Sequence, residues 1–162
     1  MNLYKIRKAS GDDIHKIVEI YNSNKIFLAN HLGLEYVDED FIGSEISEME
    51  SMGFQSCVVA DVQTGDTIGV MDFKLDADVY LSLIMIDSRF HGKGTGTLIY
   101  RMFENEMQQS GKYSIRIDVV NDYDDNVVEF WKKQGFIPQD EIHLKWGNKN
   151  SKALTMIKDI CK

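Results

Sequence analysis

Proline and cysteine are scarce in this chain: one proline and two cysteines in 162 residues. A single proline leaves no room for a polyproline segment or a proline-rich linker. Cys57 and Cys161 make no disulfide framework and show no zinc-ligand spacing. A reducing cytoplasm is the expected compartment. No apolar run approaches the roughly 20 residues that a membrane-spanning helix needs. The opening MNLYKIRKASGDD has no signal-peptide apolar core. Basic residues are the scarcer charge, 18 Lys and Arg against 26 Asp and Glu, for a formal net charge of −8. That balance argues against a nucleic-acid partner bound through a basic face. It favours steering of a cationic partner such as an amine. The chain is 43% hydrophobic and 27% charged, an ordinary globular balance. No linker, repeat or low-complexity stretch divides it, so residues 1–162 are expected to form one domain.

The richest stretch is residues 81–104, LSLIMIDSRFHGKGTGTLIYRMFE. Leu81, Leu83, Ile84, Met85 and Ile86 read as a buried strand. Gly92-Lys93-Gly94-Thr95-Gly96 follows as a turn. An amphipathic helix then carries Leu98, Ile99, Met102 and Phe103 on one side. A strand, a glycine loop and a helix N-terminus together favour an anion, because backbone N–H groups and the helix dipole point outward. Glycine lets the chain approach a phosphate without a Cβ between them. Two familiar phosphate loops fail on spacing. Gly92-Lys93 is followed by Gly94, not by the Ser or Thr of a P-loop. The dinucleotide fingerprint would need a third glycine where Thr97 stands, and the βαβ context is missing.

Residues 126–136, NVVEFWKKQGF, read as a second helix. Val127, Val128 and Trp131 recur at helical spacing, and Gly135 suits a left-handed helix stop. The two segments together resemble the GNAT family of N-acetyltransferases. Arg89-Phe90-His91-Gly92-Lys93-Gly94 fits that family's Q/R-x-x-G-x-G/A motif, and the second helix fits its ending in Gly-Phe. The resemblance implies a mixed, mostly antiparallel sheet with helices on both faces, in the order β-α-α-β-β-β-α-β-α-β-β. It implies acetyl-CoA as co-substrate, no metal, an amine acceptor, no membrane, and direct transfer without a covalent enzyme intermediate. Many members are dimers, so a homodimer is among the expectations.

Carried onto this chain, the resemblance places the coenzyme against Ile84, Met85 and Ile86. The loop Arg89, His91, Gly92, Lys93, Gly94, Thr95 and Gly96 follows, then Asn126 and Trp131 on the second helix. A backbone N–H near Ile86 would polarise the thioester carbonyl. The chain departs from the family at Trp131, where many members have a Tyr that protonates the sulfur. An indole N–H donates a hydrogen bond but is no practical acid. Tyr123, just before this helix, is the alternative acid.

In Ser114-Ile115-Arg116-Ile117-Asp118-Val119, alternation puts Arg116 and Asp118 on one face. Asp118 there is either a plain ion-pair partner or a general base; His143 is a second basic candidate. The acceptor is expected near residues 27–41, with Glu35 and Tyr36 foremost and His31, Asp38, Glu39 and Asp40 beside them. Those carboxylates fit an ammonium group, and equally the N-terminus of a helix.

The remaining elements read from periodicity. A strand covers residues 4–7, and a helix capped by Ser10 or Asp12 runs through Ile14, Ile17, Val18 and Tyr21. A break falls at residues 30–33. A helix from Asp38 or Asp40 ends near Gly53. Residues 54–61 and 67–75 form a hairpin around Gln63-Thr64-Gly65-Asp66. Residues 114–120 form a strand. Phe136-Ile137 begins a new strand after the second helix, and residues 141–146 and 153–158 pair last, around Gly147-Asn148-Lys149-Asn150.

Overall fold

Residues 2–146 and 149–161 are described in the computed structural model, which leaves Gly147 and Asn148 of the expected last turn outside. Seven strands follow from the alternating segments: β1 (Tyr4–Lys8), β2 (Gln55–Asp61), β3 (Thr67–Leu75), β4 (Asp78–Ile86), β5 (Ser114–Val120), β6 (Ile137–Trp146) and β7 (Lys149–Asp159). They make one sheet in the order β1-β2-β3-β4-β5-β7-β6. Every pairing is antiparallel except β4 with β5. Pro138 lies in the edge strand β6, where its missing N–H is tolerated.

The alternation sends side chains to two helical layers. Cys57, Val59, Met71, Phe73, Ile115, Ile117 and Val119 face α4 (Thr95–Gln109) and α5 (Asp125–Lys133). Ile99, Tyr100 and Phe103 of α4 are wholly buried there. Val58 and Val70 face the other way, towards α1 (Ile14–Ser23) and α3 (Glu39–Ser51). Each large side chain fully buried in these layers contributes roughly 1.5–3 kcal/mol.

Three local expectations need correction. Of the two residues expected to cap the turn before α1, Ser10 is the N-cap and Asp12 is not; Asp13 closes the cap. Its carboxylate accepts from the Ser10 N–H at 2.8 Å and takes two bonds from Arg7, both 2.8 Å. The bidentate Arg7 partner lowers the Asp13 carboxyl to about 2. Residues 30–33 are not a simple break. A short helix α2 (Lys25–Phe27) runs into a π-helical turn (Leu28–Leu32), because Leu28 and Leu32 are both buried and four apart. Gly33 (φ 67°) then stops it. The last strand pair is longer than residues 141–146 and 153–158: the strand that begins at Ile137 runs on to Trp146 as β6, through an irregularity between Pro138 and Glu141.

One irregularity shapes the centre of the sheet. Asp72 opposes Leu83 and Phe73 opposes Leu81, so Ser82 is an extra residue in β4. Such a bulge bends its strand and flips the alternation. Val79 and Leu81 face the α4–α5 layer, whereas Leu83 and Met85 face the α1–α3 layer. β4 leaves β5 just ahead of the bulge. Only Asp78, Val79 and Tyr80 pair with Ser114, Ile115 and Arg116. Beyond them the two parallel strands diverge and the sheet opens.

Candidate active site

The gap between β4 and β5 holds unpaired backbone. Asp87 N–H donates to Ile68 O of β3 at 2.8 Å. Successive residues of a strand turn their polar groups to opposite edges. The N–H and C=O of Ile86 and Ile84 therefore point into the gap. Ile86 O accepts from Asn24 Nδ2 at 3.0 Å and lies 2.9 Å from His91 Nε2. Gly69 of β3 keeps this segment in place by its lack of a side chain. A Cβ there would stand 2.9 Å from Met85 O and 3.0 Å from Ile86 Cδ1.

The loop after β4 turns back sharply. A 3₁₀ turn (Ser88–Phe90) is capped by Asp87, and Ser88 N–H donates to Ser23 Oγ at 3.0 Å. Gly92 (φ 71°) and Gly94 (φ 78°) are left-handed, and Gly94 is the N-cap of α4 with no side-chain cap. The first N–H groups of this 15-residue helix are thus presented without a covering side chain.

β4, the loop, the start of α4 and α5 enclose a cavity of about 630 Å³. Ile84, Met85, Ile86, His91, Gly92, Gly94, Thr95, Gly96, Asn126 and Trp131, ten of the residues expected to hold the coenzyme, line it together. Arg89 and Lys93 are not among its lining residues. Arg89 folds back onto Asp87, with Nη2 2.9 Å from Oδ2, and its side chain is 66% exposed. Lys93 Nζ lies 6.0 Å from the Phe90 ring centroid. Their charge sits beside the loop rather than in the cavity. Asn24, Phe90 and Phe130 also line it and carry no motif. Only the tertiary fold brings Asn24, at the end of α1, to Ile86.

Trp131 is 6% exposed and wedged among Tyr100, Phe130 and Phe136, with ring centroids 5.0–5.2 Å away. It also lines a second cavity of about 120 Å³. That cavity shares Ile84, Val127 and Trp131 with the first and passes between β4 and β5. On the far side it reaches Phe27, His31 and Asp118.

Asp118 is tied down. Its carboxylate accepts from Tyr80 Oη at 2.7 Å, Thr155 Oγ1 at 2.9 Å, and Arg116 Nη2 and Nε at 3.1 and 3.2 Å. Burial and the Asp118 carboxylate together push the Tyr80 hydroxyl well above its usual range. Tyr123 Oη lies 2.8 Å from His31 Nδ1. Burial and the nearby Asp124 and Asp122 raise the Tyr123 hydroxyl to about 12. Burial and the Lys149 charge lower His31 to about 4. Tyr36 is 68% exposed, Glu35 is exposed, and neither lines a described cavity. Asp38 caps α3, accepting from Phe41 N–H at 2.8 Å, and Glu39 and Asp40 follow in its first turn. His143 is exposed on β6. Among the described residues, no cluster of three or more His, Cys, Asp or Glu is placed to hold a metal, and no helix is long and apolar enough to cross a membrane.

A strand splayed from its parallel neighbour is thus followed by a glycine loop and an open helix N-terminus. The sequence matches the acetyltransferase (GNAT) family over residues 14–136, and the chain belongs to that family. No curated relative matches. Solved structures resemble it at low identity and share the fold. The spermidine N-acetyltransferase of Vibrio cholerae, in complex with CoA and spermine, has a TM-score of 0.72 at 17% identity, covering 97% of this chain and 95% of that one. An acetyltransferase of Thermus thermophilus gives 0.74 at 17%, covering 98% and 99%. The ribosomal-protein alanine N-acetyltransferase of Escherichia coli gives 0.70 at 12%, covering 98% and 95%.

Proposed function

We propose that this protein is a single-domain, acetyl-CoA-dependent N-acetyltransferase that transfers acetyl directly to a primary amine of a small molecule or of a protein or peptide. The observation that carries the reading is the cavity shared by the gap edge of β4, the glycine loop and the open N-terminus of α4. The pyrophosphate of coenzyme A would rest on N–H groups of the loop and the first turn of α4. The pantetheine arm would run beside Ile84 and Ile86, whose N–H groups face the gap. One of those N–H groups would polarise the thioester carbonyl, where negative charge develops. The acceptor would enter from the Phe27 and His31 side of the sheet, through the smaller cavity. Asp118, held by four hydrogen bonds, serves this reading as a brace between β4, β5 and β7 rather than as the base.

Thermal shift with acetyl-CoA, CoA, ATP and NAD tests the coenzyme. A ligand at about 100 times its Kd stabilises by about 2.7 kcal/mol. Acetyl-CoA and CoA should raise the melting temperature by several degrees, and ATP and NAD should not. An unmoved curve at millimolar acetyl-CoA would sink the reading.

A second reading, a non-catalytic acyl-CoA-binding module, draws on Trp131 alone, which packs as a core ring where the family often has an acid. Release of CoA stimulated by amines separates the two. Trp131→Phe keeps most of the packing, so turnover should change by less than about tenfold. A lost general acid typically costs about 10²-fold or more. A fall of that size with unchanged acetyl-CoA affinity would assign Trp131 a chemical role.

A further inference from the structure

We propose that His31, positioned by Tyr123, carries the proton in this site, taking it from the acceptor nitrogen and returning it to the departing sulfur. The inference rests on the acetyl-transfer reading above. It begins from a juxtaposition 92 residues apart in sequence. Tyr123 Oη meets His31 Nδ1 at 2.8 Å, and their rings meet edge to face at 5.6 Å. Phe27 stacks on the other side of the imidazole, with centroids 4.4 Å apart and planes 24° apart. The ring is thus held by contacts from two segments, and it lines the same cavity as Ile84 and Trp131. Asp118 lines it too, but its carboxylate is engaged by Tyr80, Arg116 and Thr155.

The groups around His31 fix its state. Burial lowers its basicity first, and Lys149, which donates to Asn30 O, lowers it further; Asp122 acts the other way; Tyr123 is neutral at pH 7. The imidazole therefore stays neutral across the physiological range and can accept a proton. A phenol oxygen accepts from Nδ1–H as readily as its O–H donates to Nδ1, so Tyr123 fits either tautomer.

The step balances without another reagent. The neutral amine attacks the thioester carbon and the C–N bond forms. The N–H bond breaks towards His31 Nε2, the ring nitrogen on the far side from Tyr123, while Nδ1–H donates to the Tyr123 oxygen. The C–S bond breaks and its electron pair leaves on sulfur. The imidazolium then gives its proton to the thiolate. The products are the amide, the thiol and neutral His31. A carrier serving both ends of the transfer would leave no task for a tyrosine where Trp131 stands.

Two measurements decide it. Nitrogen-15 NMR of the imidazoles follows His31 without any acceptor. Its midpoint should lie near 4, rise in Lys149→Gln, and move in Tyr123→Phe. Titration at the ordinary 6.5, unmoved in both variants, would overturn the dyad. With spermidine as acceptor probe, His31→Gln should lower kcat by about 10²-fold or more, with KM for acetyl-CoA within about threefold. Tyr123→Phe should lose about tenfold and shift the acidic limb of the kcat profile. Added imidazole should restore part of the activity of His31→Ala. A His31→Gln enzyme within about threefold of wild type would overturn the proposal. Failure of acetyl-CoA to bind by calorimetry would instead remove the acetyl-transfer reading, and the NMR titration would still decide the dyad.

Discussion

Gly94→Val should abolish acetyl-CoA binding and leave the fold standing. Gly94 sits at φ 78°, a conformation that costs an L-residue roughly 1–2 kcal/mol, and more with a β-branched side chain. Its Cβ would meet no protein atom within 4 Å, so the folded chain has room for it. Gly94 itself lines the cavity, beside the first turn of α4. The valine would stand where the phosphate must approach, and the strained loop would turn its N–H groups aside. Each 1.4 kcal/mol is tenfold in affinity, so strain and lost contacts together should weaken binding by about 10²-fold or more. Calorimetry with acetyl-CoA and a melting curve of the variant check this. Near-normal affinity would remove the loop from the site.

Asp72→Asn should stabilise the protein at neutral pH. Asp72 lies on β3 beneath α1 and α3, in a small cavity with Tyr21, Glu45 and Ser56. Burial raises its carboxyl from 3.8 to about 6; the Ser56 hydroxyl opposes that rise and the charge of Glu45 adds to it. Below pH 4 the carboxyl is protonated in folded and unfolded chains, and the advantage of the raised folded value is whole. As pH climbs to 6, the unfolded chain ionises first and that advantage is lost. Above pH 6 the folded state bears a buried charge, at a cost on the order of 3 kcal/mol. Asparagine has nearly the same shape and no charge to bury. Its melting temperature should exceed the wild type by several degrees at pH 7.5, and the two curves should converge near pH 4. An equal or lower melting point at pH 7.5 would show that the Ser56 hydroxyl outweighs the burial of the charge.

Periodicity and glycine spacing made much of this architecture legible. Ser114–Val120 alternates cleanly and is β5 as expected. Gly135 ends α5 in the left-handed conformation, with Phe136 N–H donating to Trp131 O at 3.1 Å. Side-chain direction was less legible. Arg89 suits a phosphate by charge and motif, yet a carboxylate two residues earlier draws it away. Nothing local announces that His31 and Tyr123 meet, because the contact depends on where the π-helical turn and the loop before α5 dock. The bulge was hidden for another reason. Leu81, Leu83, Ile84, Met85 and Ile86 are apolar on both faces, and a strand buried on both sides shows no period to interrupt.

Ser82 is one residue more than β3 can match. The aperture between β4 and β5 is therefore encoded by a residue count and not by a particular side chain. Substituting residue 82 preserves the surplus whatever the new chemistry. Deleting it would return Leu83 and Met85 to the face of Val79 and Leu81, let β4 run on beside β5, and close the passage through the sheet. The stretch around Ser82 should thus tolerate replacement far better than any change in its length.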